Sequence, residues 1–150
     1  MRSVSQNKNT MTTFNIDAPS IRAAAADLQH FCHGQAAHNG WWTDMSTGQD
    51  LRSTGYPKLS PTANVGEKLM LVVTEVGEAM EGHRKLLMDD HIPNRSMLEV
   101  ELADVVIRVF DLAGGLGLDV PGAMAEKLLF NSTRSDHQIK NRRAIGGKKI

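Results

Sequence analysis

Four carboxylates on two stretches of the chain carry the first chemical signal. Glu75 and Glu78 stand three apart, and Glu101 and Asp104 repeat that interval. On a helix each interval puts both side chains on one face, about 5–6 Å apart. Glu67 and Glu99 are set aside, because each closes a capping box, with Asn64 and with Ser96. Both remaining pairs border apolar positions: Val72 and Val76 flank Glu75, and Val105 follows Asp104. Antiparallel packing of the two helices would bring the four groups together near the core. Like charges at this spacing cost roughly 0.2–0.5 kcal/mol per exposed pair. Burial raises that cost and demands pairing or a metal ion. No Cys or His shares the spacing, so the donors are all oxygen and select a hard cation, Mg²⁺ or Mn²⁺. Mg²⁺ held by few carboxylates keeps waters and tends to bring phosphates with it. The alternative is two solvated acidic faces on unrelated sides of the molecule.

A cationic complement lies further along. Lys127, Asn131 and Arg134 recur at helical spacing and form one stripe. An ammonium, an amide and a guanidinium fork suit phosphate oxygens; alone, the stripe equally describes an exposed face with ordinary ion pairs. Trp41 and Trp42 open a stretch of more than twenty residues, to Ala63, rich in Gly, Ser, Thr and Pro. Structureless connections that long are usually functional or disordered. Indole faces there suit a base or other ring, and the competing reading is that one indole plugs the end of the core. Cys32 has His30 and His33 nearby, off its helix face, and reads as a small buried residue. There is no His-Glu-x-x-His, no Gly-rich phosphate loop after a strand and no Gly-x-Ser-x-Gly.

The elements that must position these groups are helices. Asp17 caps the first, with Pro19 in its opening turn, and Ile21, Ala24, Ala25, Leu28 and Cys32 form a stripe that ends by Gly40. A second helix starts near Asn64, its apolar stripe being Leu69, Val72, Val73, Val76, Ala79 and Met80. A third starts at Ser96, buries Leu98, Leu102, Val105, Val109 and Leu112, and stops at Gly114-Gly115. The fourth is announced by Asp119 and Pro121 and runs towards Arg134. No strand pattern or internal repeat is visible. Four helices with mostly short connections predict an all-α four-helix bundle over 17–139. A flexible arm precedes it (1–16), and a basic tail follows (140–150).

Composition narrows the class. A chain of 150 residues is the size of one domain and can bury roughly 68–70% of its unfolded surface. With 17 basic against 17 acidic side chains it is not a general binder of nucleic-acid polymers. The distribution is uneven, an acidic middle from Glu67 to Asp111 and a basic end, Lys140, Arg142, Arg143, Lys148 and Lys149. That end either meets anionic ligand or an acidic partner copy, or is a solvated tail. One cysteine excludes an internal disulfide and suits a reducing cytosol. The longest apolar run, Leu69 to Val73, is too short for a membrane, and the start lacks a secretory signal. The expectation is a soluble cytoplasmic protein.

The segments EKLMLVVTEVGEAMEGHRK, ELADVVIRVFDLAGGLGLD and EKLLFNSTRSDH together resemble the MazG-like all-α nucleoside triphosphate pyrophosphohydrolases, most of all the short phage-type members. The resemblance covers about residues 66–143. The family's paired glutamates and later Glu-x-x-Asp fall on Glu75, Glu78, Glu101 and Asp104; where many members have a further Glu, this chain has Thr74. The family's downstream Lys, Asn and Arg fall on Lys127, Asn131 and Arg134. The resemblance implies hydrolysis of a nucleoside triphosphate between the α and β phosphates, giving monophosphate and pyrophosphate. It implies Mg²⁺, or Mn²⁺, on the four carboxylates, with Glu78, helped by Glu75, orienting or deprotonating the attacking water. Lys127, Asn131, Arg134 and more weakly Lys68 would bind phosphates, and Trp41 or Trp42 the base. It also implies a homodimer or homotetramer whose site a neighbouring subunit completes. Open alternatives are a dUTPase-like or alarmone-hydrolysing variant, or a non-catalytic helical module that binds nucleotide or protein.

Overall fold

The structure, a computed structural model, describes residues 15–52, 63 and 65–149. The arm before residue 15, the middle of the long connection and the Asn64 cap lie outside the described residues. Within them the chain is all-helical: α1 Ala18–His38, α2 Val65–Lys85, α3 Met97–Gly115 and α4 Val120–Thr133. A 3-10 turn, Ser135–His137, and a short α5, Ile139–Arg143, follow; the sequence reading did not include these two. No described helix is long and apolar enough to cross a membrane.

Local chemistry sets the helix starts. Asp17 accepts from the Ser20 N–H at 3.3 Å, with Pro19 in the first turn of α1. The Ser96–Glu99 box is complete in both directions at α3. Asp119 accepts from the Gly122 N–H at 2.9 Å and starts α4 on Val120-Pro121. After α1 the backbone takes φ +83° at Gly40, a left-handed value that a residue without a Cβ adopts freely.

The helices pack as a row: α2 on α3, α3 on α1, α1 on α4. α2 and α3 run antiparallel, since Gly82 meets Met97 while Glu75 meets Arg108. A Cβ on Gly82 would sit 2.8 Å from the Met97 Cβ, so the two helices touch backbone to side chain there. The core lies where α1, α3 and the root of the long connection meet, around Trp42, Ala63, Leu112 and Leu116.

The all-α class agrees with the expectation, and the row is how the four long helices are arranged. The packing revises which faces are buried. On α2 the inward positions are Glu75, Ala79 and Gly82. Most of the expected stripe, Leu69, Val73, Val76 and Met80, is exposed. On α3 the buried residues are Glu101, Phe110, Leu112, Ala113 and Gly115, while Leu102 and Val109 are exposed. Apolar spacing marks a face that favours burial without saying what covers it. The basic end is not a bare tail: Arg142 donates to the Lys148 and Lys149 carbonyls, at 3.2 and 2.8 Å.

Candidate metal centre

The seam between α2 and α3 carries charge where a helical pair usually carries hydrocarbon. Glu75 is 5% exposed and Glu101 7%. With the exposed Glu78, they offer carboxylate oxygens that all lie within 4.8 Å of one another. Three of the four expected ligands are thus drawn together by one antiparallel helix pair. Asp104, one turn beyond Glu101, is half-buried and lines the adjoining cleft instead. Thr74 adds no donor to the group, since its hydroxyl is turned to the Leu71 carbonyl at 2.7 Å.

The electrostatics show the strain of this crowding. The Glu101 carboxyl is pushed up to about 7, first by burial, then by its hydrogen bond with Glu75 and by the charges of Glu78, Glu75 and Asp104. Asp104 is raised as well, by burial and by Glu75, with Arg108 pulling the other way. Among the described residues one positive group answers the cluster directly: the Arg108 Nε donates to a Glu75 carboxylate oxygen. The donor set is oxygen alone and two of its three members are almost fully buried. Such a set fits a hard divalent cation.

A cleft of about 300 Å³ opens beside the cluster, lined among others by Asp104, Arg108, Lys68, Trp41, Gln35 and Asn39. Its floor is braced by Asp111. That carboxylate accepts from the Trp42 Nε1 at 2.6 Å, contacts His33 Nδ1 at 3.0 Å and lies 4.0 Å from the Lys68 ammonium. Lys68 also rests 4.0 Å above the Trp42 ring, so its charge is held at the cleft by both partners. Cys32 borders the cleft too, and its thiol is pushed up by burial and by Asp111, which keeps it a poor nucleophile.

The two tryptophans part company. Trp42 is 1% exposed, enclosed by core residues, and is a packing residue rather than a ring-binding one. Trp41 is 71% exposed at the cleft. The stripe on α4 is not brought to the carboxylates within one chain, because α4 packs on α1 and the 3-10 turn, across the row from α2. There Arg134 is bound to Asp136 through Nε at 2.9 Å, and Lys127 stands 4.9 Å from the Phe130 ring centre. The Asn131 side-chain oxygen is buried with no hydrogen-bond partner.

Arg108 and Asp111 were not singled out from the sequence. The signal existed: Glu101, Asp104, Arg108 and Asp111 are spaced three, four and three apart, one unbroken stripe along α3. Compared with known proteins, the chain matches no family model, no curated protein and no solved structure.

Proposed function

We propose that the protein is a divalent-metal-dependent hydrolase that cleaves nucleoside triphosphates between the α and β phosphates, releasing monophosphate and pyrophosphate. The observation that carries this reading is the Glu75–Glu78–Glu101 oxygen cluster, two of its members buried, joined through Arg108 to a cleft that Asp104, Lys68 and Trp41 also line. The motif resemblance to MazG-like enzymes supplies the reaction class, and the donor chemistry agrees with it. A divalent cation bound there supplies Lewis-acid polarisation of phosphate and acidification of water.

The chain's own residues do the rest. Glu75, Glu101 and Glu78 hold the cation, with Asp104 available from the cleft wall. To Glu78, the exposed member, we assign the orienting and deprotonation of the attacking water. Lys68 offsets polyphosphate charge from the side of α2, and Trp41 offers an open ring face for a base. Lys127, Asn131 and Arg134 act from a neighbouring copy. What supports that assignment is the open row, with α4 remote from α2, together with the uncovered apolar lines Leu69–Val73–Val76–Met80 and Leu102–Val106–Val109. These exposed apolar lines, on two helices that pack together, suit a second copy of the chain, as a homodimer or a homotetramer.

The test is a product assay on purified protein with the common ribo- and deoxynucleoside triphosphates and dUTP, in Mg²⁺ or in EDTA. Metal-dependent pyrophosphate and monophosphate are expected. Diphosphate with orthophosphate, or no turnover of any substrate, rejects the reading.

A further inference from the structure

Among the described residues Arg108 is the one cation with an ion pair to the cluster, and the reaction proposed above gives it no role. Its Nε is bound to Glu75, yet its side chain remains 41% exposed against 7% for its partner's. It also lines the cleft where Lys68 and Trp41 stand. One side chain therefore faces two places: a buried carboxylate that a metal would need, and a cavity that a polyphosphate would fill. A carboxylate this buried is costly to leave unpaired, so while no metal is bound something must hold its charge. A guanidinium is suited to both duties, since its fork pairs equally with carboxylate and with phosphate oxygens.

We propose that Arg108 is an exchangeable counter-ion: it neutralises Glu75 in the metal-free protein, yields that carboxylate to the incoming divalent cation, and then binds polyphosphate in the cleft. The inference rests on the metal-dependent reading above. The exchange puts a doubly charged cation where a singly charged one stood, among three carboxylates rather than one, and no bond other than the ion pair is broken. Metal binding and polyphosphate binding are thereby linked, because the first event frees the ligand of the second.

The experiment compares Arg108→Gln with the full-length wild type by two equilibrium measurements. The first is Mn²⁺ affinity without nucleotide, read by electron paramagnetic resonance. The second is the affinity of the Mg²⁺-saturated protein for Mg²⁺-tripolyphosphate, read by calorimetry. The variant is expected to bind Mn²⁺ at least about fivefold more tightly and tripolyphosphate at least about fivefold more weakly. A purely structural ion pair would weaken both. Lys68→Gln removes an equal charge from the same cleft, but from Asp111 rather than from the cluster. It is expected to weaken tripolyphosphate while leaving Mn²⁺ affinity within about twofold, as for a screened neighbour. Equal tightening of Mn²⁺ by both substitutions would reduce Arg108 to general field and overturn the exchange. Unchanged Mn²⁺ affinity in Arg108→Gln overturns it too, and leaves the metal reading standing. Absence of Mn²⁺ binding to the wild type overturns both.

Should Arg108→Gln fail to fold, the wild type answers directly by nuclear magnetic resonance. The Arg108 Nε–H signal, assigned by its loss in Arg108→Lys, is expected to be protected in EDTA and released on titration with Mg²⁺. A signal unmoved at Mg²⁺ saturation rejects the proposal.

Discussion

At the scale of single residues, burial and charge set the behaviour of the cluster. Glu101 is held near pH 7 by burial and by its acidic neighbours, well above its ordinary 4.5. Folding therefore favours its protonated form. In EDTA that contribution is fully present below about 4.5 and is lost as pH rises through about 7. Melting of the chelated protein is expected to fall between pH 5 and pH 8, and Glu101→Gln should flatten that slope while raising stability at pH 8. The same substitution is expected to cut metal-dependent pyrophosphate release by at least about 100-fold. Retained turnover would remove Glu101 from the ligand set. The tryptophans give a second contrast. Trp42→Ala should cost about 3–5 kcal/mol in denaturant unfolding, as for a large core truncation. Trp41→Ala should move stability by no more than about 0.5 kcal/mol and raise KM instead. The sequence pointed to both indoles alike, because neighbouring residues of one type differ only in the direction each faces.

At the scale of elements, capping chemistry was legible because it is local. Asp17, Ser96 and Asp119 each serve a backbone N–H three residues on, a relation that needs no tertiary information. Which face a helix buries is not local. Leu69, Val73, Val76 and Met80 make a stronger apolar line than Glu75, Ala79 and Gly82, yet the second line faces α3. The reason is close approach: only small residues let the helices meet near Met97, and the carboxylate follows in the same register. Gly82→Ala tests this. Alanine gains about 1 kcal/mol in helix propensity, whereas overpacking costs about 1–3 kcal/mol. The Met97 contact is at the base of its side chain, which cannot swing away, so overpacking should win. A lower melting temperature is expected; a higher one would mean that the seam is loose.

At the scale of the whole molecule, the all-helical class was readable from periodicity, and the row was not. Whether a fourth helix closes onto the second depends on matching two faces, and a single sequence does not pair faces. The uncovered lines on α2 and α3 carry the proposed self-association. Val76→Asp is expected to shift the protein towards monomer in sedimentation velocity with its helical circular dichroism retained. If the wild type is already monomeric at micromolar concentration, the second-copy assignment of Lys127, Asn131 and Arg134 falls with it. The antiparallel α2–α3 pair has a kinetic consequence as well. All the cluster carboxylates and Arg108 lie on one helical hairpin, whose two arms are nearer in sequence than α1 is to α3 or to α4, the kind of pairing that forms early. Mutual repulsion of the carboxylates is then already felt at the folding barrier, and so is its relief. Divalent cations should accelerate refolding of this chain more than they slow its unfolding, and the refolding arm of its chevron should be the one that bends with pH.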